Sequence, residues 1–187
     1  KHRLDRSVHV ARRQLLSVAP PARAAQAPQG IYGMDLSDLV QVPAILPTLK
    51  ANSKKQLLQL LAERAASVTG LPEREIFDTI LQRERLGSTG VGNGIAIPHG
   101  KLAGIKQITG VFARLEQPVD FEALDDQPVD LVFLLLAPEG AGADHLKALS
   151  RIARVLRDAE TVAKVRGTRD ASAIHSLLAS APASHAA

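Results

Sequence analysis

Residues 129–137 read "VDLVFLLLA", and this run decides the fold class. Its apolar stretch, Leu131 to Ala137, is far shorter than the ~20 residues of a membrane-spanning helix. It suits a β-strand covered on both faces, because no alternate position is polar. Such a strand lies between helical layers, and the sequence on either side supplies them. Downstream, "PEGAGA" (138–143) is a turn region, and Asp144 is the expected N-cap of a helix running to about Leu156. Leu146, Leu149, Ile152, Ala153 and Leu156 form its expected buried stripe. Asp158–Val165 and Asp170–Leu178 read as two short closing helices. Upstream, "QITGVFARL" (107–115) is a second strand. "AILPTLK" (44–50) is a third, weakened by Pro47. Between them, Asn52 or Ser53 caps a helix in which Leu57, Leu58, Leu61, Ala65 and Val68 recur at helical spacing, ended by Gly70. Pro72–Arg85 opens on proline and carries Ile76, Ile80 and Leu81 on one face. The pattern predicts a single α/β domain over 34–180, a mixed central sheet with helices on both faces in three layers. No internal repeat is evident.

The chain has 187 residues, 45% hydrophobic but only 3% aromatic, so its core is aliphatic. There is no cysteine, which excludes disulfides, thiolate metal sites and a cysteine nucleophile. The net charge of +4 is unevenly placed. Residues 1–33 hold six Lys/Arg and one acid, leaving 17 basic and 18 acidic residues, net −1, for the remainder. The basic segment ends in "APPARAAQAPQG" and lacks aromatics for stacking on bases. It reads as a disordered basic arm or an upstream extension ahead of Met34, the only methionine, and nucleic-acid binding is not expected. The tail, 181–187, is expected to fray.

After the second helix comes "GSTGVGNGIAIPHGK" (87–101), in which a glycine-rich stretch leads through a short apolar run to one histidine, followed by another glycine. It is not a nucleotide loop. A Walker A match to Gly100-Lys101 needs glycine at 95 and a hydroxyl at 102, where Ile95 and Leu102 stand. A dinucleotide fingerprint from Gly90 and Gly92 also fails at Ile95. Glycines still let backbone N–H groups approach an anion, and Ser88, Thr89, Gly90 and Asn93 are the expected phosphate cradle, with Arg83 and Arg85 just upstream. A histidine beside such donors suits covalent phosphoryl transfer, since neutral imidazole is a nucleophile near neutral pH. His99, placed at the C-terminal end of a short strand, is that candidate; a core or turn histidine is the alternative. His145 sits in the first turn of a helix, whose positive end favours the neutral ring. His175 reads as structural, and His2, His9 and His185 fall in the tails. No HxxxH or HxH spacing occurs, so no metal site is expected.

"LGSTGVGNGIAIPHGKL" (86–102), "QPVDLVFLLLAP" (127–138) and "HLKALSRIARVL" (145–156) together resemble the enzyme IIA component of the nitrogen-regulatory phosphotransferase system. The resemblance runs from about Met34 to Ala179. It implies that His99 receives a phosphoryl group from an HPr-type phosphohistidine carrier, that His145 supports the group, and that Arg83 stabilises its charge. No cofactor is implied. The implied role is a cytoplasmic phosphoryl acceptor that regulates targets, sensor kinases or potassium transport proteins, according to its phosphorylation state. A homo-dimer is left open. The rival readings are a sugar-type IIA passing phosphate to a IIB domain and a binding module indifferent to phosphorylation.

Overall fold

A computed structural model describes residues 35–181. The arm at 1–33 lies outside the described residues. Of the tail at 181–187 only Ala181 is described, and it is buried at 6% exposure. In chain order the elements are α1 (Leu36–Leu39), a 3-10 turn (Val42–Ala44), β1 (Ile45–Leu49), α2 (Lys54–Thr69), α3 (Glu73–Arg85), β2 (Gly90–Gly92), β3 (Ile95–Ala96), β4 (His99–Leu102), β5 (Thr109–Val119), β6 (Val129–Pro138), α4 (Gly142–Val155), α5 (Ala159–Arg166) and α6 (Ala171–Ser180).

The apolar run is β6, the centre of a six-stranded sheet in the order β1-β5-β6-β3-β2, with β4 also paired to β6. The sheet is mixed: β1 runs parallel to β5, β5 antiparallel to β6, and β3 and β4 parallel to β6. Every residue from Leu131 to Ala137 is at most 1% exposed. Successive side chains of a strand point to opposite faces, so both faces are covered. The covering comes from α2 and α3, which pack on each other and on β5 and β4, and from α4 and α6, which pack on β6 and β1. Two of the five aromatics meet here, Phe112 and Phe133, edge to face at 6.2 Å.

Local chemistry fixes the element ends. Ser53, not Asn52, caps α2, accepting from the Gln56 N–H at 3.2 Å. Gly70 closes α2 at φ 75°, where a side chain would be strained. Asp158 and Asp170 cap α5 and α6 through the N–H groups of Thr161 and Ala173. Pro47 is tolerated because β1 is an edge strand, bonded to β5 alone. The sequence pattern overlooks α1, which Asp35 and Asp38 close as a capping box.

Three expectations need correction. Asp144 is not the N-cap of α4: the helix begins earlier, at Gly142 after Ala141, and Asp144 is already in its first turn. The buried stripe is therefore rotated. Ala148, Ile152, Val155 and Leu156 are buried, Leu149 and Ala153 only partly, and Leu146 is 66% exposed. Val68 likewise leaves the buried face of α2 and is exposed.

Candidate active site around His99

The glycine-rich stretch folds back as the β2–β3 hairpin, turning at Asn93 and Gly94 with φ of 55° and 76°. β3 and β4 then follow one line along β6. Ile95 faces Leu131 and His99 faces Leu135, so the register is unbroken across Ile97 and Pro98. Pro98 has no N–H to give, but its carbonyl accepts from the Leu135 N–H at 2.9 Å. His99 thus begins β4 instead of ending a strand, a correction to the sequence reading. Gly100 turns the opposite way, where a Cβ would lie 2.8 Å from Thr79 Cγ2 of α3. His99 therefore points to the other face of its strand.

Both ring nitrogens of His99 are held. Nδ1 lies 2.8 Å from the Ile97 carbonyl oxygen, which can only accept, so Nδ1 carries the proton. Nε2 accepts from the Nε–H of Arg83 at 3.2 Å, so its lone pair is aimed at a side chain that lines the pocket with it. The Arg83 guanidinium is tethered by a second bond, from Nη1 to the Gly87 carbonyl at 3.0 Å. His145, on the first turn of α4, brings its ring to 5.6 Å from that of His99, centroid to centroid. Its Nε2 is buried and has no hydrogen-bond partner among the described residues. The three residues singled out in the sequence, His99, His145 and Arg83, thus meet at one place.

They line an open pocket of about 680 Å³ with Thr79, Gln82, Arg85, Leu86, Gly100 and Lys101. Three cations line it and no carboxylate does, so the pocket favours an anion. Burial, above all, pushes the His99 pKa below its usual value; the Ile97 bond opposes this, Arg83 adds to it and Glu84 opposes it. Burial also lowers His145, followed by the charges of His99 and Lys101. Both rings are therefore neutral near pH 7, as a nucleophile and its neutral neighbour require.

The loop residues expected to cradle phosphate are not at the pocket. Thr89 is buried, its N–H and hydroxyl both donating to Glu84 at 2.8 and 2.6 Å. Ser88 donates its hydroxyl to the Phe121 carbonyl, and the same oxygen accepts from the Gly90 N–H. The Asn93 N–H goes to Asp125, and its carbonyl to Arg166, at the far end of β3 from His99. Their donors serve the fold because an interior carboxylate and a hairpin turn need them. Sequence reasoning did not single out Lys101, whose place two residues after His99 on the same strand puts it on the histidine's face. Among the described residues no three His, Cys, Asp or Glu side chains gather as a metal site would need.

A family model described as "Phosphoenolpyruvate-dependent sugar phosphotransferase system, EIIA 2" matches residues 38–181. The chain belongs to this EIIA family. A "Nitrogen regulatory protein" of Bradyrhizobium diazoefficiens is 63% identical over 153 residues, covering 82% of this chain and 100% of the relative. One from Escherichia coli is 39% identical over 146 residues, covering 78% and 90%. The crystal structure of IIA-Ntr from Neisseria meningitidis superposes with a TM-score of 0.73 at 35% identity, covering 76% of this chain and 98% of that one. The IIA domain described here is accordingly of the nitrogen-regulatory type, with that family's mixed sheet and surrounding helices. No helix among its described residues is long and apolar enough to cross a membrane.

Proposed function

We propose that His99 is the phosphoryl acceptor of this IIA protein, that an HPr-like phosphohistidine carrier is the donor, and that the phosphorylation state of His99 governs binding to regulatory targets in the cytoplasm. The observation that carries this reading is the tautomer: a protonated Nδ1 bonded to Ile97 and a lone pair on Nε2 facing a cationic pocket. The transfer balances without a co-reactant. The N–P bond on the carrier breaks, leaving its electron pair on the donor nitrogen. The Nε2 lone pair forms the new N–P bond, and the proton stays on Nδ1, hydrogen-bonded to the Ile97 carbonyl. Arg83 shifts from the ring nitrogen to the phosphoryl oxygens, still tethered at Gly87. The buried Nε2 of His145 then gains an acceptor among those oxygens. Exposed Leu86, at the pocket rim, offers the carrier an apolar contact.

The test is incubation with a phosphorylated HPr-type carrier, following acid-labile, base-stable label on wild type and His99→Ala. Label on the wild type alone is expected. Label retained on His99→Ala overturns the assignment of the acceptor. Label on neither leaves a binding module with the family fold and no transfer. A IIB domain added to the labelled protein distinguishes a sugar-type carrier, which hands the label on, from the regulatory reading, in which it stays.

A further inference from the structure

Behind His99 lies a polar group that the transfer itself does not touch. Glu84, next to Arg83 in the last turn of α3, is 6% exposed. Its Oε1 accepts from the Thr89 N–H at 2.8 Å and lies 3.1 Å from Lys54 Nζ; its Oε2 accepts from the Thr89 hydroxyl at 2.6 Å. Lys54 opens α2 and lies 4.7 Å over the Phe121 ring, so the carboxylate is neutralised from inside the domain. A buried carboxylate without such partners would be strongly disfavoured.

The path from Glu84 does not stop at Thr89. The Thr89 carbonyl accepts from the Ile97 N–H at 2.9 Å. The Ile97 carbonyl in turn accepts from Nδ1 of His99 at 2.8 Å. On the other side, the residue joined to Glu84 by one peptide bond, Arg83, donates to Nε2. One of the hydrogen bonds that orient the imidazole thus traces back to the Glu84 side chain, and the other comes from its neighbour at the same end of α3. Arg83, which can only donate, and the Ile97 carbonyl, which can only accept, both favour the Nδ1–H form. The two bonds hold the form together only while both partners stay in place, and the position of the Ile97 carbonyl depends on Thr89.

We propose that Glu84 is the positioning residue of the phosphoryl acceptor: through Thr89 and Ile97 it fixes the Nδ1–H tautomer of His99, and through the end of α3 it aims Arg83 at Nε2. This rests on His99 being the acceptor, but one arm of the test does not. The tautomer is read from the ring nitrogen shifts of His99 by NMR, with no phosphoryl donor present. The wild type shows a single Nδ1–H form. Glu84→Gln, of nearly the same shape, and Thr89→Val, which lacks the hydroxyl, show the two nitrogens averaging towards each other at temperatures well below unfolding. Thr89→Ser restores the wild-type spectrum. With the phosphorylated carrier, Glu84→Gln lowers the maximal transfer rate by about tenfold to a hundredfold. It leaves the half-saturating carrier concentration unchanged, since a residue this buried is not on the docking surface. Folded Glu84→Gln and Thr89→Val variants that keep the Nδ1–H form and the native maximal rate would overturn the proposal. Wild type that accepts no phosphoryl group sinks the functional reading instead, and the NMR arm still decides the role of Glu84.

Discussion

The contact between Gly100 and α3 makes the active site sensitive to one methyl group. Gly100 has an ordinary backbone, so Gly100→Ala introduces no φ strain. The added Cβ would lie 2.8 Å from Thr79 Cγ2 and 3.6 Å from Ile80 Cγ2. An ordinary carbon contact is ~3.5 Å, so Thr79 must retreat by ~0.7 Å. Thr79 is short and β-branched, with little freedom about its first torsion in a helix, so the strain passes to the helix. Arg83 is one turn further along α3 and moves with it. Its bond to His99, 3.2 Å in this structure, lengthens to ~3.9 Å and is lost. Overpacking of this kind costs ~1–3 kcal/mol of stability. Misplacement by most of an ångström lowers transfer by ~10-fold to ~100-fold. Single-turnover phosphorylation by the carrier reads the rate, and urea unfolding reads the stability. Thr79→Ser removes the clashing methyl, so the double variant regains both. A native rate in Gly100→Ala, or a loss that Thr79→Ser fails to relieve, would refute the link between this packing and Arg83.

Three further outcomes are expected. Both His99 and His145 have pKa values lowered below 6.5, chiefly by burial. The unfolded chain then binds more protons as pH falls through ~6.5, so stability is full above that value and declines below it. His99→Gln flattens that decline in a pH series of urea midpoints, and an unchanged slope counts against a buried neutral ring. Arg83→Lys keeps the charge but cannot donate to His99 and Gly87 from a fixed fork; transfer should fall ~10-fold or more at unchanged stability, measured in the same single-turnover assay. Phe133→Ala empties the centre of β6 opposite Phe112 and should cost ~3–5 kcal/mol by urea unfolding.

The parts of the fold written in long periodic segments were legible. β6 announced itself by an unbroken apolar run, and α2, α5 and α6 by Ser53, Asp158 and Asp170 ahead of helical spacing. The start of α4 was misread because an aspartate three residues into a helix looks like a cap when the true first turn, "GAD", has no side-chain cap of its own. The β2–β3 hairpin was not visible, since strands of three and two residues interrupted by glycines carry no alternation. At the site, His99, His145 and Arg83 were readable from motif and resemblance together. The loop donors were assigned to an anion when their partners are internal. A threonine that serves a buried glutamate 2.8 Å away and one that serves a ligand are the same letter. Glu84 was not singled out in the sequence, and only its burial and its line of hydrogen bonds through Thr89 and Ile97 separate it from its neighbours in "RER".

The continuous register of β3 and β4 along β6 turns chain length into a functional quantity. Side chains alternate faces with every residue, so the distance from the hairpin turn to His99 must keep its parity. One residue inserted between Gly94 and His99 would carry the imidazole to the side now occupied by Gly100. There Thr79 lies 2.8 Å from where even a Cβ would stand. The ring would face a wall of α3 where it now meets His145. Substitutions along this segment can be absorbed by repacking, whereas a change of one in its length cannot. The segment is a ruler, cut to place one nitrogen on the correct side of a sheet.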